Sequence, residues 1–257
     1  MSWNIEPVGE VVVVSMTSNP VNMQNPAYFK DLNDAFDIID GQYSLQPIVL
    51  TGTGNIFSAG IDFNFSFAMF ERRNQQEIAE WYTDFRDSIM RVFCHPSLTI
   101  AAVNGHAFAG GLLLALACDA RIAAPSATRF ALNEVPIGIP MPMAYNELVN
   151  YRVGSAVAFE AIMTGKEYNL TQAHELGMIH SISGGDDLLQ QAIAKAQSQT
   201  PETRIAYSHT KELLLRPILD RIHRLANDEA TIAVISSPDS VKAQKKALHA
   251  LKQSGKG

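Results

Sequence analysis

The strongest candidate for a ligand-binding or catalytic segment is glycine-rich and covers residues 100–120, IAAVNGHAFAGGLLLALACDA. A predicted strand ends at Asn104-Gly105, and Gly110-Gly111 then open an apolar helix. The first amides of a helix have no acceptor within it and carry the positive end of the helix dipole. Because glycine lets a ligand approach the backbone closely, this segment could bind an anion or an oxyanion. Close packing of a helix on a strand would explain the same residues equally well.

A second glycine loop, FSAGIDF at residues 57–63, also follows a predicted strand and precedes a predicted helix. Asp62 is expected to cap that helix, while the amide of Ile61 could face a ligand. If the two loops follow successive strands of one parallel sheet, both lie at its carboxyl edge, where open α/β folds bind ligands. The pair of loops therefore favours a ligand site more strongly than either loop alone.

Glu134 is a single carboxylate in an apolar stretch, FALNEVPIG at residues 130–138. Burial there would raise its pKa toward that of a base that works near neutral pH. A surface glutamate on a turn is the commoner explanation for an isolated carboxylate. The residues alone leave both interpretations open.

Hydrophobic periodicity indicates the elements that must position these residues. Short β-branched runs predict strands at residues 11–16, 47–51, 98–103, 120–123 and 129–131. Apolar residues at helical spacing predict helices at 27–39, 76–93 and 110–118. Beyond Pro142 most of the chain is predicted to be helical, with one extended piece near 178–183 and a basic amphipathic helix over 240–252. This order predicts an α/β protein with a largely parallel sheet.

Composition indicates which classes of protein this chain can belong to. The chain has 257 residues, of which 47% are hydrophobic and 18% charged, so it can build a substantial core in one large domain or two small ones. The formal net charge of −6 disfavours a nucleic-acid partner, because a basic face is needed to bind phosphates. The two cysteines, Cys94 and Cys118, are too few for a disulfide scaffold, and their spacing does not suggest zinc.

The amino-terminal residues lack the basic and apolar regions of a secretory signal, and no apolar run is long enough to predict a membrane span. We therefore expect a cytoplasmic protein of bacterial type, with an organelle matrix as the alternative.

Together these segments resemble the crotonase (enoyl-CoA hydratase/isomerase) superfamily. Residues 100–120 match the long signature of that family, including Asn104-Gly105, Ala109-Gly110-Gly111 and Cys118-Asp119. FSAGIDF resembles its first oxyanion loop, and NPVNM at residues 19–23 resembles its amino-terminal turn. The resemblance extends from about residue 11 to residue 177, and a family-like helical tail follows.

The resemblance implies an α/β fold: a crotonase (ClpP-like) ββα spiral over residues 1–195, then a C-terminal helical trimerisation region over 196–257. It implies a coenzyme A thioester as substrate, no covalently bound cofactor, no metal, and a homotrimer or a dimer of trimers. The amides of Ile61 and Gly110 would hold the thioester oxygen. By position, the substrate-binding residues would be Ser58, Ala59, Gly60, Asp62, Phe63, Ala109, Gly111, Leu113, Asn133 and Pro142.

The resemblance also bears on the reaction. Hydratases of the family carry two glutamates, and their positions fall at Leu113 and Glu134 here. Hydration needs an activated water and a proton donor, whereas moving a double bond from C3–C4 to C2–C3 needs one base. The context of Glu134 and the prolines after Gly138 are similar to Δ3,Δ2-enoyl-CoA isomerases of fatty-acid β-oxidation, with Glu134 as the catalytic base and acid. The alternatives are another crotonase-type acyl-CoA enzyme (hydratase, thioester hydrolase or dehalogenase-like) or a non-catalytic relative that binds acyl-CoA or RNA.

Overall fold

The computed structural model of the chain describes residues 3–17, 19–126, 128–184 and 187–253. Its strands are Trp3–Val8 (β1), Val11–Met16 (β2), Met23–Gln24 (β3), Ile48–Gly52 (β4), Ile56–Ser58 (β5), Gly60–Ile61 (β6), Thr99–Val103 (β7), His106–Phe108 (β8), Ala120–Ala123 (β9), Arg129–Ala131 (β10), Tyr168–Asn169 (β11) and Ser181–Ile182 (β12). Its α-helices are Pro26–Gln42 (α1), Phe63–Arg72 (α2), Gln75–Cys94 (α3), Gly110–Ala117 (α4), Met143–Val153 (α5), Ser155–Thr164 (α6), Leu170–Glu175 (α7), Leu188–Gln197 (α8), Arg204–Leu225 (α9), Asp228–Ile235 (α10) and Pro238–Gln253 (α11). Short 3-10 helices cover Val135–Ile137 and Pro201–Thr203. None of the helices in the described ranges is long and apolar enough to cross a membrane.

The larger sheet has six strands in the order β1-β2-β4-β7-β9-β12. All of its neighbours pair in parallel except β1 and β2, which are antiparallel. Both faces are buried: Val12 and Val14 point into the main core, while Val11 and Val13 point into a second core covered by α8. Burial on both faces explains why these strands are nearly continuous runs of apolar residues. The prediction of a largely parallel sheet is confirmed.

The two glycine loops follow strands of a second, smaller sheet. β5 and β8 pair in parallel within a four-stranded sheet of order β11-β10-β8-β5. The two loops therefore follow parallel neighbours of one sheet, as expected, but this sheet is the small one, and its strands β5 and β8 were not predicted. β5 and β8 have three residues each, which is too short to show a periodicity.

Asn104 connects the turns that lead from the large sheet into the small one. Its side-chain Oδ1 accepts a hydrogen bond from the amide of Gly52 (3.0 Å), and its Nδ2 donates to the carbonyl of Gly54 (2.8 Å). The turn after β4 is therefore attached to the turn after β7, and this fixes the start of β5 relative to β8.

A strand of the large sheet, a strand of the small sheet and then a helix occur in this order three times. The units are β4-β5 before α2, β7-β8 before α4, and β9-β10 before α5, with the two-residue β6 inserted in the first. This is the ββα order that the family resemblance implies. Beyond β12 every described element is a helix. The division of the chain at residue 195 stays a prediction, and its outer ends at 1 and 257 lie outside the described residues.

A buried ion cluster around Asp119 attaches α9 to the core. The carboxylate accepts hydrogen bonds from Lys211 Nζ on α9 (2.6 Å), from Arg152 on α5 (3.3 Å) and from the amide of Thr99 on β7 (3.0 Å). Burial acts to raise the pKa of Asp119, but the two cations outweigh it and hold the pKa below its usual value. The position of α9 therefore depends on a charged contact as well as on apolar packing.

Replacing Asp119 by asparagine should lower the free energy of unfolding by about 3 kcal/mol, because Lys211 and Arg152 would lose their buried counter-charge. Urea unfolding at pH 7 measures this. The matched control is Asp40→Asn: Asp40 also accepts from two side chains, Arg91 and His95, but its side chain is 48% exposed. The control should cost less than about 1 kcal/mol. Equal losses in the two variants would show that the Asp119 cluster does not stabilise the fold.

Candidate active site

The first glycine loop runs from β5 through β6 into α2. β6 pairs in parallel with β3, and the amide of Asp62 donates to the carbonyl of Gln24 (2.8 Å). Because successive amides of an extended strand point in opposite directions, the amide of Ile61 points away from β3. Asp62 Oδ1 accepts a hydrogen bond from the amide of Phe65 (3.1 Å), so the predicted helix cap is confirmed.

The second glycine loop ends where α4 begins, at Gly110. Ala109, the residue before it, has φ +49° and ψ −125°, a conformation that residues with a side chain rarely adopt. It is held there by two hydrogen bonds: its amide donates to Ala131 O (2.8 Å), and its carbonyl accepts from the amide of Leu113 (3.0 Å). This geometry places the amide of Gly110 at the first position of α4, where helix amides lack an acceptor within the helix.

The two loops approach each other at backbone distance. A Cβ on Gly60 would lie 3.1 Å from the nitrogen of Gly110 and 2.8 Å from Ala109 Cβ, and Gly60 also has φ +81°. A Cβ on Gly111 would overlap the carbonyl of Ser58. The glycines therefore permit close packing, and the same packing brings the loop that carries Ile61 beside the start of α4. Close packing and ligand binding, the two interpretations of these glycines, are therefore compatible.

Glu134 lies at the start of the 3-10 helix that follows β10. Its side chain is buried, with the residue 3% exposed, and neither carboxylate oxygen has a hydrogen-bond partner among the described residues. Together with Ile61 it lines a small cavity of about 10 Å³, whose other walls are Trp81, Tyr82, Phe85, Ile139, Pro140, Met141, Pro142 and Ile235. Of these lining residues, Glu134 alone carries a carboxylate.

Burial raises the pKa of Glu134 to about 7, and the nearby amide of Glu134 itself acts in the opposite direction without offsetting this. The cause is desolvation: the walls are apolar, and no cation lines the cavity to stabilise the carboxylate. Near neutral pH such a carboxyl group exchanges a proton readily in either direction. The sequence left open whether Glu134 is a surface residue, and the structure shows that it is buried.

The structure brings some of the predicted site residues together. Ile61, Glu134 and Pro142 line one cavity, and Gly60 lies against Gly110. Phe63 is half-buried and packs against the main core. Leu113 is buried in the first turn of α4.

Other predicted site residues have contacts elsewhere. Ser58 is fully buried, and its hydroxyl donates to Asn22 O (2.8 Å). The amide of Ala59 donates to Val21 O (3.0 Å). Asn133 is exposed although it adjoins Glu134.

Several cavity residues were not predicted. Trp81, Tyr82 and Phe85 come from α3, where the rings of Trp81 and Phe85 stack with centroids 5.5 Å apart. Their spacing of four residues on a helix was a usable signal, because such residues share a face. Ile235 comes from α10, about a hundred residues after Glu134, and no local pattern indicates its place.

The cavity is covered on one side by α10, which is tied to α3 by charge. Asp228, at the start of α10, accepts a hydrogen bond from the hydroxyl of Tyr82 (3.0 Å) and pairs with Arg86. Both partners lie in the same stretch of α3 as the cavity residues. In the part of the chain that is described, no three His, Cys, Asp or Glu side chains are grouped as they would be around a metal ion.

The family model for enoyl-CoA hydratase/isomerase matches residues 7–256 of the chain. This protein belongs to that family. An enoyl-CoA isomerase/hydratase of Mycosarcoma maydis is 34% identical over 166 residues, which is 64% of this chain but 58% of that protein's length. A protein named as an enoyl-CoA hydratase from Thermus thermophilus is 33% identical over 217 residues, which is 80% of this chain and 81% of that protein.

The human mitochondrial Δ3,Δ2-enoyl-CoA isomerase has a similar structure, with a TM-score of 0.88 over 99% of both chains and 23% sequence identity. At that identity the likeness shows the fold. The expected crotonase fold with a C-terminal helical region is therefore confirmed for this member of the enoyl-CoA hydratase/isomerase family.

The burial of Glu134 should make stability depend on pH. Its pKa is about 7 in the folded chain and near 4.3 in an unfolded one, so the folded state binds the extra proton between these values and stability falls as the pH rises. Glu134→Gln removes this loss. We expect the variant to be more stable than wild type by about 3 kcal/mol at pH 8, and by less than about 1 kcal/mol at pH 5.

Urea unfolding at both pH values tests this expectation. The exposed Glu167→Gln is the matched control and should change the free energy of unfolding equally at the two pH values. A Glu134→Gln variant with no advantage at pH 8 would show that the carboxylate is not desolvated in the folded protein.

Proposed function

We propose that this protein is a Δ3,Δ2-enoyl-CoA isomerase, which moves the double bond of a 3-enoyl-CoA to give the trans-2-enoyl-CoA. The observation that carries the proposal is the single carboxylate, Glu134, buried in an apolar cavity that Ile61 also lines. One group that both accepts and returns a proton is sufficient for this reaction.

The amides of Ile61 and Gly110 would bind the thioester oxygen. The direction of the Ile61 amide away from β3, the first position of Gly110 in α4 and the contact between Gly60 and Gly110 support this assignment. When the C2 proton leaves, negative charge develops on that oxygen. A donor already fixed in place stabilises such a charge by roughly 3–4 kcal/mol.

Glu134 would move the proton. As a carboxylate it takes the proton from C2, and the C2–H electron pair becomes part of a dienolate that spans the oxygen, C1 and C2 to C4. The protonated Glu134 then returns the same proton to C4, which leaves the double bond between C2 and C3. A pKa of about 7 suits both steps, because neither form of the group is strongly disfavoured at neutral pH.

Hydration is the competing reaction, because relatives are named as hydratases. Hydratases of the family use a second glutamate, and its position is occupied by Leu113 here. A leucine cannot activate a water or donate a proton. The observation that favours isomerisation is therefore the absence of a second carboxylate from the described lining of the cavity.

The test is to mix the purified protein with trans-3-hexenoyl-CoA and to follow the absorbance of the conjugated thioester. Wild type should form the product, and Glu134→Gln should lower kcat by roughly 10²- to 10⁴-fold because it cannot accept a proton. Glu167→Gln, the same change on the surface, should leave kcat within twofold.

Hydration of crotonyl-CoA, assayed with the same preparations, should be negligible beside isomerisation. Normal turnover of the 3-enoyl substrate by Glu134→Gln would contradict the proposed role of this residue. Hydration by the wild type at a rate equal to isomerisation would contradict the proposal that a site with one glutamate favours isomerisation.

The proposed assembly is a homotrimer or a dimer of trimers. Large apolar side chains in the second half of the chain are strongly exposed: Phe159 on α6 is 69% exposed, and Ile205 and Leu214 on α9 are 74% and 59% exposed. Large apolar side chains that are exposed in one chain can be buried when copies of the chain assemble. Light scattering after size exclusion should give three or six times the chain mass of 28.1 kDa. A mass of one chain at micromolar concentration would contradict the trimer.

A further inference from the structure

Gln24 is a polar side chain in a place that an apolar one could fill. It is fully buried beside the hydroxyl of Tyr28, and its Oε1 has no hydrogen-bond partner among the described residues. A buried carboxamide oxygen without a partner costs stability, because it gives up water without a replacement. Such an oxygen calls for an explanation.

Its position provides one, because Gln24 contacts the backbone of both glycine loops. Its carbonyl accepts the amide of Asp62, and in β3 it pairs with Ile61. Its side chain reaches the other loop: Oε1 occupies the position that a Cβ on Gly110 would take. Of the two amides proposed to hold the thioester oxygen, one is therefore positioned by the backbone of Gln24 and the other lies beside its carboxamide.

We propose that Gln24 is a positioning residue of the oxyanion site, whose carboxamide oxygen holds the Gly110 backbone in the orientation that the reaction needs. The inference rests on the proposed function, because it assumes that Ile61 and Gly110 are the two donors.

The physical reason is the freedom of glycine. Without a Cβ, the backbone of Gly110 can adopt more conformations than that of other residues. An amide N–H that changes direction stabilises the charge on the thioester oxygen less than an amide that is fixed in place. Two groups restrict the backbone of Gly110 on the side where other residues carry a Cβ. They are Oε1 of Gln24 and Phe85, whose Cε2 would lie 3.2 Å from a Cβ at this position.

The oxygen of Gln24 is attracted as well as packed. It lies 2.0 Å from the position that a Cβ would take on the first residue of α4, where the positive end of the helix dipole attracts a carbonyl oxygen. Methionine has a similar length but lacks this oxygen, so Gln24→Met removes the polar contact while it keeps most of the packing.

The experiment compares Gln24→Met with Gln46→Met. Gln46 is half-buried before β4, and its Oε1 is also buried without a described partner, so it is a matched control away from the glycine loops. In turnover of trans-3-hexenoyl-CoA, Gln24→Met should lower kcat about tenfold and change KM less than threefold. Gln46→Met should leave both within twofold.

A spectroscopic measurement separates this role from a purely structural one. In the Glu134→Gln background, 2,4-hexadienoyl-CoA can bind without proton transfer by Glu134, and the red shift of its absorbance reports how strongly the backbone amides polarise the carbonyl. Adding Gln24→Met should reduce this red shift by about half, with Kd changed less than threefold. A residue that only fills space would leave the shift intact.

The outcomes distinguish this inference from the proposed function. If wild type does not isomerise the substrate but the red shift still falls in Gln24→Met, the positioning role stands and the assigned reaction fails. If isomerisation is confirmed but Gln24→Met matches wild type in kcat and in red shift, the inference is overturned and the reaction stands. No red shift even with Gln24 intact would overturn the oxyanion site and the inference with it.

Discussion

The close approach of two backbone segments at Gly60 and Gly110 is the constraint on which the rest of the site depends. A side chain on Gly60 would overlap the backbone of the other loop at Phe108, and a side chain on Gly110 would overlap the carboxamide of Gln24, so both positions favour glycine. The small sheet sets the distance, because β5 and β8 lead into the two loops and pair with each other. Asn22 stabilises the same region from a third segment, since its Nδ2 donates to the carbonyls of Ile56 (3.2 Å) and Phe57 (3.0 Å).

The burial of Glu134 in the cavity lowers the stability of the fold. Its two unpaired oxygens and apolar walls make the ionised form unfavourable, and this destabilises the folded chain above neutral pH. The same desolvation makes the carboxylate a stronger base than an exposed glutamate. A cation beside it would restore stability but would also lower the pKa and weaken the base. In the proposed reaction, stability and proton transfer would therefore place opposite demands on this one residue.

The sequence was informative where a pattern is local. Val11–Met16, Ala120–Ala123 and Arg129–Ala131 were predicted with the bounds that the structure has. β1 was missed, because it lies at a sheet edge and only Trp3 of its six residues is buried. β12 lies within the extended piece predicted near 178–183, whereas β3, β6 and β11 have two residues each and carry no periodicity.

The same distinction applies to the site. Ile61 and Glu134 could be predicted from their loops and from the family resemblance, and both line the cavity. Asn133 precedes Glu134 directly and yet is exposed, so a match to a family position does not by itself indicate that a residue lines the cavity. The spacing of Trp81 and Phe85 indicates that they share a face of α3, but the place of Ile235 depends on packing between distant helices, which composition and spacing do not specify.

Among the charged contacts that attach the C-terminal helices to the core, those of α9 with Asp119 and of α10 with α3 differ in depth. Lys211 on α9 meets Asp119 in a buried pair, with side chains 8% and 13% exposed. The contact of α10 with α3 is more open, since the side chains of Arg86 and Asp228 are 24% and 33% exposed. Water screens the second contact more effectively than the first.

A cavity of about 10 Å³ has room for a single water molecule, so an acyl chain can enter only by displacing part of the wall. Ile235 is the wall residue that α10 contributes, so moving α10 would enlarge the cavity on that side.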